Sequence, residues 1–325
     1  MKIFDVIKEF KKSKPYLFSF LGGMIFIIGI FYVSTNLFFT NNNSNKISNK
    51  SFPQDYKIIS PSIPDSISIF GEDVPLQNFD VFERVEREVL VNTYWHSATI
   101  LAIKRAARWF PIIEPILAKN NIPDDFKYLA VIESNLDNAV SPAGATGFWQ
   151  IIKPIGIKYG LEINDEVDGR YNIEKSTQAA CDYLNDAFSQ FGTWTMAAAS
   201  YNAGLNGIEK WSGLQKTKNF WNLVLGSETS RYVSRAVAIK LVMGNPSIYG
   251  YDLKSDELYQ PLKFKEIDLS TSVNDFADYS KSLGINYKTL KLYNPWLRDT
   301  SLKNKAGKTY KIKVPEEGSI TLIEG

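Results

Sequence analysis

The sequence predicts a mainly helical protein with a small α+β unit at its C-terminal end. Three observations carry this. From about Asp80, apolar residues recur at steps of three and four, the helical period. No alternating strand pattern occurs between 80 and 250. After Pro246 the pattern changes, and two strand-like stretches enclose two short helical ones. The 325 residues are 44% apolar and 22% charged, enough for one large core or two smaller domains.

Taken in order, residues 1–15 form a basic tail, with five lysines against Asp5 and Glu9, a net of +3. Tyr16–Phe39 is a run of 24 mostly apolar residues inside an uncharged window from Pro15 to Asn45. As a helix it would be ~36 Å long, enough to cross a ~30 Å hydrocarbon core with some tilt. A signal peptide would have an apolar region of only ~7–15 residues and then small residues for cleavage. Here bulky Leu37-Phe38-Phe39 ends the run, so 16–39 is read as an uncleaved transmembrane anchor, with a cleaved leader as the alternative. The lysines place the tail in the cytoplasm and the body outside the membrane, in the periplasm or cell-wall space. Residues 40–79 read as a linker: Asn- and Ser-rich, then interrupted by Pro53, Pro61, Pro64 and Pro75.

The helical body is expected over 80–250. Val81, Phe82, Val85, Val89 and Leu90 mark its first helix, and Ile112–Ala118 a short apolar one. Pro123, Asp124 and Asp125 open a helix whose apolar face carries Phe126, Leu129, Ala130, Glu133 and Leu136. Asn172 is an N-cap for a long helix with the stripe Ala179, Ala180, Tyr183, Leu184, Ala187 and Phe188, stopped by Gly192. Trp194–Ala203, stopped by Gly204, and Glu228–Met243 follow. The C-terminal unit, 264–316, reads as strand Lys263–Ser270, helices Val273–Leu283 and Tyr287–Tyr293, a turn at Asn294-Pro295, and strand Thr309–Val314.

Composition narrows the chemistry. One histidine, His96, and one cysteine, Cys181, cannot build a zinc site, an iron–sulfur site or a disulfide framework, and no cofactor is expected. His96 reads as a helix-surface residue and Cys181 as a small buried hydrophobe. With +2 overall and +3 in the tail, the other 310 residues carry −1, which gives no basis for nucleic-acid binding. Carboxylates, amides, hydroxyls and aromatic rings remain. Seventeen Tyr, 20 Phe and 7 Trp suit stacking on sugars as well as filling a core.

Glu133 stands out because it lies on the apolar face of its helix. Burial there would raise its pKa, and a carboxylic acid protonated near neutral pH suits the protonation of a glycosidic oxygen. On periodicity alone, a helix-end Glu paired with an Arg explains it as well.

Context decides. After Glu133-Ser134 come Ser141-Pro142-Ala143-Gly144-Ala145-Thr146-Gly147-Phe148-Trp149-Gln150-Ile151, then Ala199-Ser200-Tyr201-Asn202-Ala203-Gly204, then Glu228-Thr229-Ser230-Arg231-Tyr232-Val233. In this order and spacing the blocks resemble the motifs of the lytic murein transglycosylases with the goose-type lysozyme fold. Arg108-Trp109-Phe110-Pro111-Ile112-Ile113-Glu114 and Phe220-Trp221 resemble its membrane-bound D-type branch. The resemblance covers about 80–245. Phe148 replaces a usual Leu and Ser200 a usual Ala, both tolerable changes.

The resemblance implies a lysozyme-like catalytic domain acting on the glycan strands of peptidoglycan. Glu133 would be the single acid/base, forming a 1,6-anhydromuramic acid end without consuming water. Ser141, Gln150, Tyr201, Asn202 and Tyr232 would bind substrate or steer Glu133. Plainer roles stand beside these: a Gly-rich loop for 141–147, a helix cap for Asn202, core packing for Tyr201 and Tyr232. Trp149 is expected beneath the motif. Asp137 is expected to be solvated, and would be the base in a hydrolytic lysozyme, which is the alternative to a lyase; an inactive peptidoglycan-binding protein is the other. Residues 264–316 resemble a LysM domain, a module that binds N-acetylglucosamine-containing glycans. The contact points are Ser272–Ala277, Leu283-Gly284-Ile285, Leu292-Tyr293-Asn294-Pro295 and Lys311-Ile312-Lys313-Val314-Pro315. An unrelated packing extension is the alternative.

Overall fold

The computed structural model describes residues 57–319. The expected basic tail 1–15, anchor 16–39 and first part of the linker, 40–56, lie outside the described residues. Among the described residues no helix is long and apolar enough to cross a membrane.

The first ordered feature corrects the linker reading for 57–79. Strands β1 (Ser68–Ile69) and β2 (Glu72–Asp73) pair antiparallel through a turn in which Phe70 and Gly71 both have positive φ. Ile69 and Phe70 are fully buried. The Phe70 ring stacks on Phe126 with centroids 4.1 Å apart, and its N–H donates to Asp125 Oδ2 at 2.8 Å. Glu72 accepts from the backbone N–H groups of Trp194 and Thr195. Two-residue strands carry no readable period, and the surrounding prolines disguise the segment as a tether.

Helix α1 (Phe79–Tyr94) buries Val81, Val85 and Val89, while Phe82 faces outward. Helix α2 (His96–Lys119) is 24 residues long, where the sequence suggested only its C-terminal third. Pro111 and Pro115 lie inside it; each removes a backbone donor and ordinarily breaks a helix. A continuous buried face of Thr99, Ala102, Ala106, Ile113 and Leu117 holds it together. Helix α3 (Lys127–Ser134) follows a 3-10 turn at Asp124–Phe126, and α4 (Lys153–Lys158) is short.

Helix α5 (Ile173–Phe191) starts where Asn172 accepts from the Lys175 N–H and ends at Gly192, φ 80°. Next come α6 (Trp194–Ala203), α7 (Leu205–Gln215) and α8 (Ser227–Gly244). Ala197, Ala198 and Ala199 of α6 are fully buried, and α5 and α8 both pack on this helix. Small side chains there let three backbones approach closely. Helix α8 also packs on α1 and α3, and so ties the site helices to the core.

The C-terminal unit has the expected order: β3 (Phe264–Leu269), α9 (Phe276–Ser282), α10 (Tyr287–Tyr293) and β4 (Tyr310–Pro315). The strands pair antiparallel from Phe264↔Pro315 to Leu269↔Tyr310. Phe276, Leu290, Leu302 and Ile312 form its own core, to which the helical body contributes Val167. The loop after α10 is held against the body: Val167 bridges Leu297, and the Arg298 N–H donates to the Glu166 carbonyl at 2.8 Å. The chain is therefore mainly helical with a small two-stranded module behind it.

Candidate active site

Glu133 occupies the last turn of α3, and that turn is pinned. Ser134 Oγ donates to the Phe148 carbonyl at 2.9 Å, and Asn135 and Leu136 both turn the chain with positive φ. Asn135 Nδ2 donates to the Ala98 carbonyl, and Arg105 donates to the Asn135 carbonyl at 3.0 Å. The carboxyl is thus set by contacts from α2 and from the loop after α3.

The Glu133 side chain is largely withdrawn from water, and burial pushes its pKa up to about 7. Three neighbours act on it. Tyr232 on α8 donates from its hydroxyl to Glu133 Oε1 at 2.5 Å and favours the charged form. The Arg235 guanidinium acts in the same direction, and the Glu228 carboxylate opposes it. Burial wins, so the group is poised between acid and base near neutrality. Burial and the Glu133 charge hold the Tyr232 phenol well above its ordinary range, so it stays a donor.

Glu133 faces a cavity of about 870 Å³ whose lining includes all five other predicted site residues, Ser141, Gln150, Tyr201, Asn202 and Tyr232. Ser141 caps a tight turn: its Oγ accepts from the Ala145 N–H, and its carbonyl from the Gly144 N–H. Gly147 has φ +82°, and a Cβ there would lie 2.1 Å from the Arg170 carbonyl oxygen, so only glycine fits. Gln150, itself at φ 46°, donates from Nε2 to the carbonyls of Ala139 and Gly147. Its amide donors brace the loop, and Oε1 is the atom left for a ligand.

Tyr201 donates to the Trp149 carbonyl at 2.8 Å, and Trp149, fully buried, donates to Thr177 Oγ1. Asn202 is oriented from α8: Thr229 Oγ1 donates to its Oδ1 at 2.8 Å, and its Nδ2 donates to Glu228 Oε1 at 3.2 Å. One amide N–H and one lone pair remain for a ligand. The site is therefore rich in neutral hydrogen-bonding groups around the Glu133 carboxyl, an arrangement suited to a polyhydroxylated, amide-bearing substrate.

Two placements bear on the choice of reaction. Asp137 is exposed, pairs with Arg105 at 2.8 Å and does not line this cavity. Glu228, which sequence reasoning missed, does line it. Its position in the first turn of α8 is an ordinary place for an acid, so nothing marked it. On the other side of Glu133 lies a second cavity of about 620 Å³, sharing Ile132, Glu133 and Arg235 with the first. Cys181 is buried and its thiol is pushed up to about 12, away from reactive use; His96 lies exposed at the start of α2. Among the described residues no cluster of three His, Cys, Asp or Glu could hold a metal ion.

Comparison with known proteins assigns the two parts of the chain. Residues 110–224 match the transglycosylase SLT domain, and residues 265–318 match the soluble lytic transglycosylase C-terminal LysM-like domain. The chain is 29% identical over 254 residues to membrane-bound lytic murein transglycosylase D of two Escherichia coli strains, covering 76% of this chain and 54% of each relative. It spans about half the length of those curated relatives. The 70 kDa soluble lytic transglycosylase of E. coli superposes over 46% of this chain and 26% of its own, at 22% identity and a TM-score of 0.35. The lytic transglycosylase Slt of Pseudomonas aeruginosa does so over 56% and 31%, at 18% identity and a TM-score of 0.36. The chain carries an SLT transglycosylase domain followed by a LysM-like C-terminal domain.

Proposed function

We propose that this SLT-domain chain cleaves the β-1,4 bond between N-acetylmuramic acid and N-acetylglucosamine in peptidoglycan without water, leaving a 1,6-anhydromuramic acid end. The observation that carries the reading is Glu133: a buried carboxyl with a pKa of about 7, fixed by Tyr232, in a cleft that it shares with the amides of Gln150 and Asn202, the hydroxyls of Ser141 and Tyr201, and the charged groups of Lys158, Glu228 and Arg235. The SLT match and the names of the E. coli relatives support it.

In this mechanism protonated Glu133 gives its proton to the bridging oxygen as the bond from C1 of muramic acid breaks. Tyr232 holds Oε1, so Oε2 is the working atom. The carboxylate then takes the proton of the same sugar's 6-hydroxyl, whose oxygen closes onto C1. The nucleophile is tethered to the reacting ring, which gives a high effective molarity over water. The substrate's N-acetyl oxygen can meet the positive charge developing at C1, as in substrate-assisted glycosidases. Asn202 and Gln150 Oε1 are placed to hold amide and hydroxyl groups of the strand.

Glu228 favours a second reading. A cleft carboxylate could activate water, which would make the protein a hydrolytic lysozyme. Its engagement with Asn202 Nδ2 argues for a holding role instead. Mass analysis of released muropeptides separates the two: anhydro ends, one water lighter, for the lyase, and reducing ends, with label from oxygen-18 water, for the hydrolase.

The proposed organisation is a cytoplasmic tail at 1–15, a membrane anchor at 16–39, a catalytic domain over 80–250 and a glycan-binding module at 264–316. Membrane fractionation and the mature N-terminal sequence test the anchor. A mature N-terminus near residue 40 would reject it.

A further inference from the structure

The segment 162–171 is bonded on one side to the C-terminal module and on the other to the loop 141–151 that carries Ser141 and Gln150. On the module side, the Asp168 N–H donates to the Trp296 carbonyl at 2.9 Å, and the Arg298 N–H to the Glu166 carbonyl at 2.8 Å. These two bonds flank the bridge between Val167 and Leu297. Val167 is 2% exposed and sits in the core of the module, although it belongs to the chain of the body. Arg298 lies over the Tyr171 ring, with its Cζ 4.0 Å from the centroid, and the Lys303 N–H donates to Glu166 Oε2 at 3.0 Å.

On the loop side the contact is made by Arg170. Its Nη1 donates to the Gly144 carbonyl at 3.0 Å and to the Ile151 carbonyl at 3.3 Å, on either side of Gly147 and Gln150. Asp168 aims it: Nη2 donates to Oδ2 at 2.7 Å and Nε to Oδ1 at 3.0 Å, and both side chains are withdrawn from water. Such a paired, charge-assisted contact is strong and directional. A loop with left-handed turns at Gly144, Gly147 and Gln150 exchanges among conformations unless it is tied down. The residue that aims the tie, Asp168, has its own backbone fixed by the module. Neither Asp168 nor Arg170 lines the cleft. We propose that the C-terminal module is a positioning element of the catalytic domain: its stretch 296–298 fixes Asp168, Asp168 aims Arg170, and Arg170 holds the loop that presents Ser141 and Gln150 to the strand. The kinetic half of this inference rests on the peptidoglycan reading of the cleft; the structural half does not.

The structural half is tested by amide hydrogen exchange on the full chain, read by mass spectrometry. Val167→Ala with Arg298→Ala loosens the module contact without touching Asp168 or Arg170. Peptides covering 141–151 should then exchange about tenfold faster, the weight of one charge-assisted hydrogen bond, while those of α8 stay unchanged. If the Val167 change unsettles the module, Arg298→Ala alone, at an exposed position, should shift the same peptides in the same direction. Arg170→Met should reproduce the effect from the other end. Kinetically, kcat/KM of the double variant should fall about tenfold, and as much on a soluble murein tetrasaccharide, which needs no anchoring to the wall, as on insoluble strands. In a Gln150→Ala background the same pair should cost less than about threefold, because the group that the module positions is gone. Unchanged exchange of 141–151, losses that multiply in full with Gln150→Ala, or a loss confined to insoluble strands overturns the proposal. Faster loop exchange in a protein that cleaves no strand would uphold the coupling and reject the lyase reading.

Discussion

Two carboxylates withdrawn from water sit on neighbouring walls of one cleft, and their surroundings oppose each other. Glu88 is met by three arginines, whereas Glu133 is met by a phenol, with one guanidinium and a second carboxylate acting from further off. Glu88 lies within an ion-pair cluster that holds a wall together. Glu133 carries the cost of burial and is pushed up to about 7. The lesson is that removal from water does not give a carboxylate its role; the groups that come with it do.

The contrast is broken most severely at Glu133. Glu133→Gln should lower muropeptide release by ~10²–10⁴-fold or more while the fold stays intact, because the amide cannot donate or accept the proton. More than about a tenth of wild-type activity, only ~1.4 kcal/mol of barrier, would remove Glu133 from the acid/base role. The same variant should be the more heat-stable protein at pH 8. The wild-type acid has a folded pKa above its ordinary value, so its stabilising contribution is full below about 4.5 and lost as pH rises through about 7. The gap in melting temperature between the two proteins should therefore close at pH 4, and a gap that does not depend on pH would contradict the burial argument.

Glu88→Ala should show the reverse profile. Left without their common partner, the arginines repel, and a loss of ~2–4 kcal/mol in urea unfolding is expected, with Glu88→Gln milder. A large loss of activity with unchanged stability would mean that the two carboxylates had been assigned the wrong way round. Tyr232→Phe should be smaller still, about a tenfold loss from one charge-assisted hydrogen bond. It should also move the basic limb of the pH–rate profile upward, since that bond favours the charged form. Asp137→Asn, at an exposed ion pair with Arg105, should change activity less than about twofold, because such pairs contribute little.

The two acids also show what the sequence could reveal. Glu88 lies three residues after Val85 on its helix stripe, as Glu133 lies three after Ala130. Periodicity marks both positions equally. What separates them is Arg231, 143 residues from Glu88, and Tyr232, 99 residues from Glu133, contacts that exist only in the fold. The caps at Asn172 and Gly192 were legible because their chemistry is local, and so were the strands of the C-terminal unit. Helix α2 was not, because Pro111 and Pro115 speak against a helix locally while tertiary burial sustains it. Nor was the bracing use of the Gln150 amide, which depends on a left-handed backbone that no residue type announced.

The hairpin at 68–73 sets a limit on working distance. If the anchor is 16–39, the free leash is not the forty residues that composition suggests. Ile69, Phe70 and Glu72 commit the chain to the body, and Ile59 already shares hydrogen bonds with Tyr94 of α1. What would join such an anchor to the body is then the stretch 40–58, whose contour at ~3.3–3.6 Å per residue is at most ~70 Å. If the chain is anchored there and cleaves glycan as proposed, the depth of wall its site can reach is that span plus the size of the body itself, and the span is set by where the chain first joins the body.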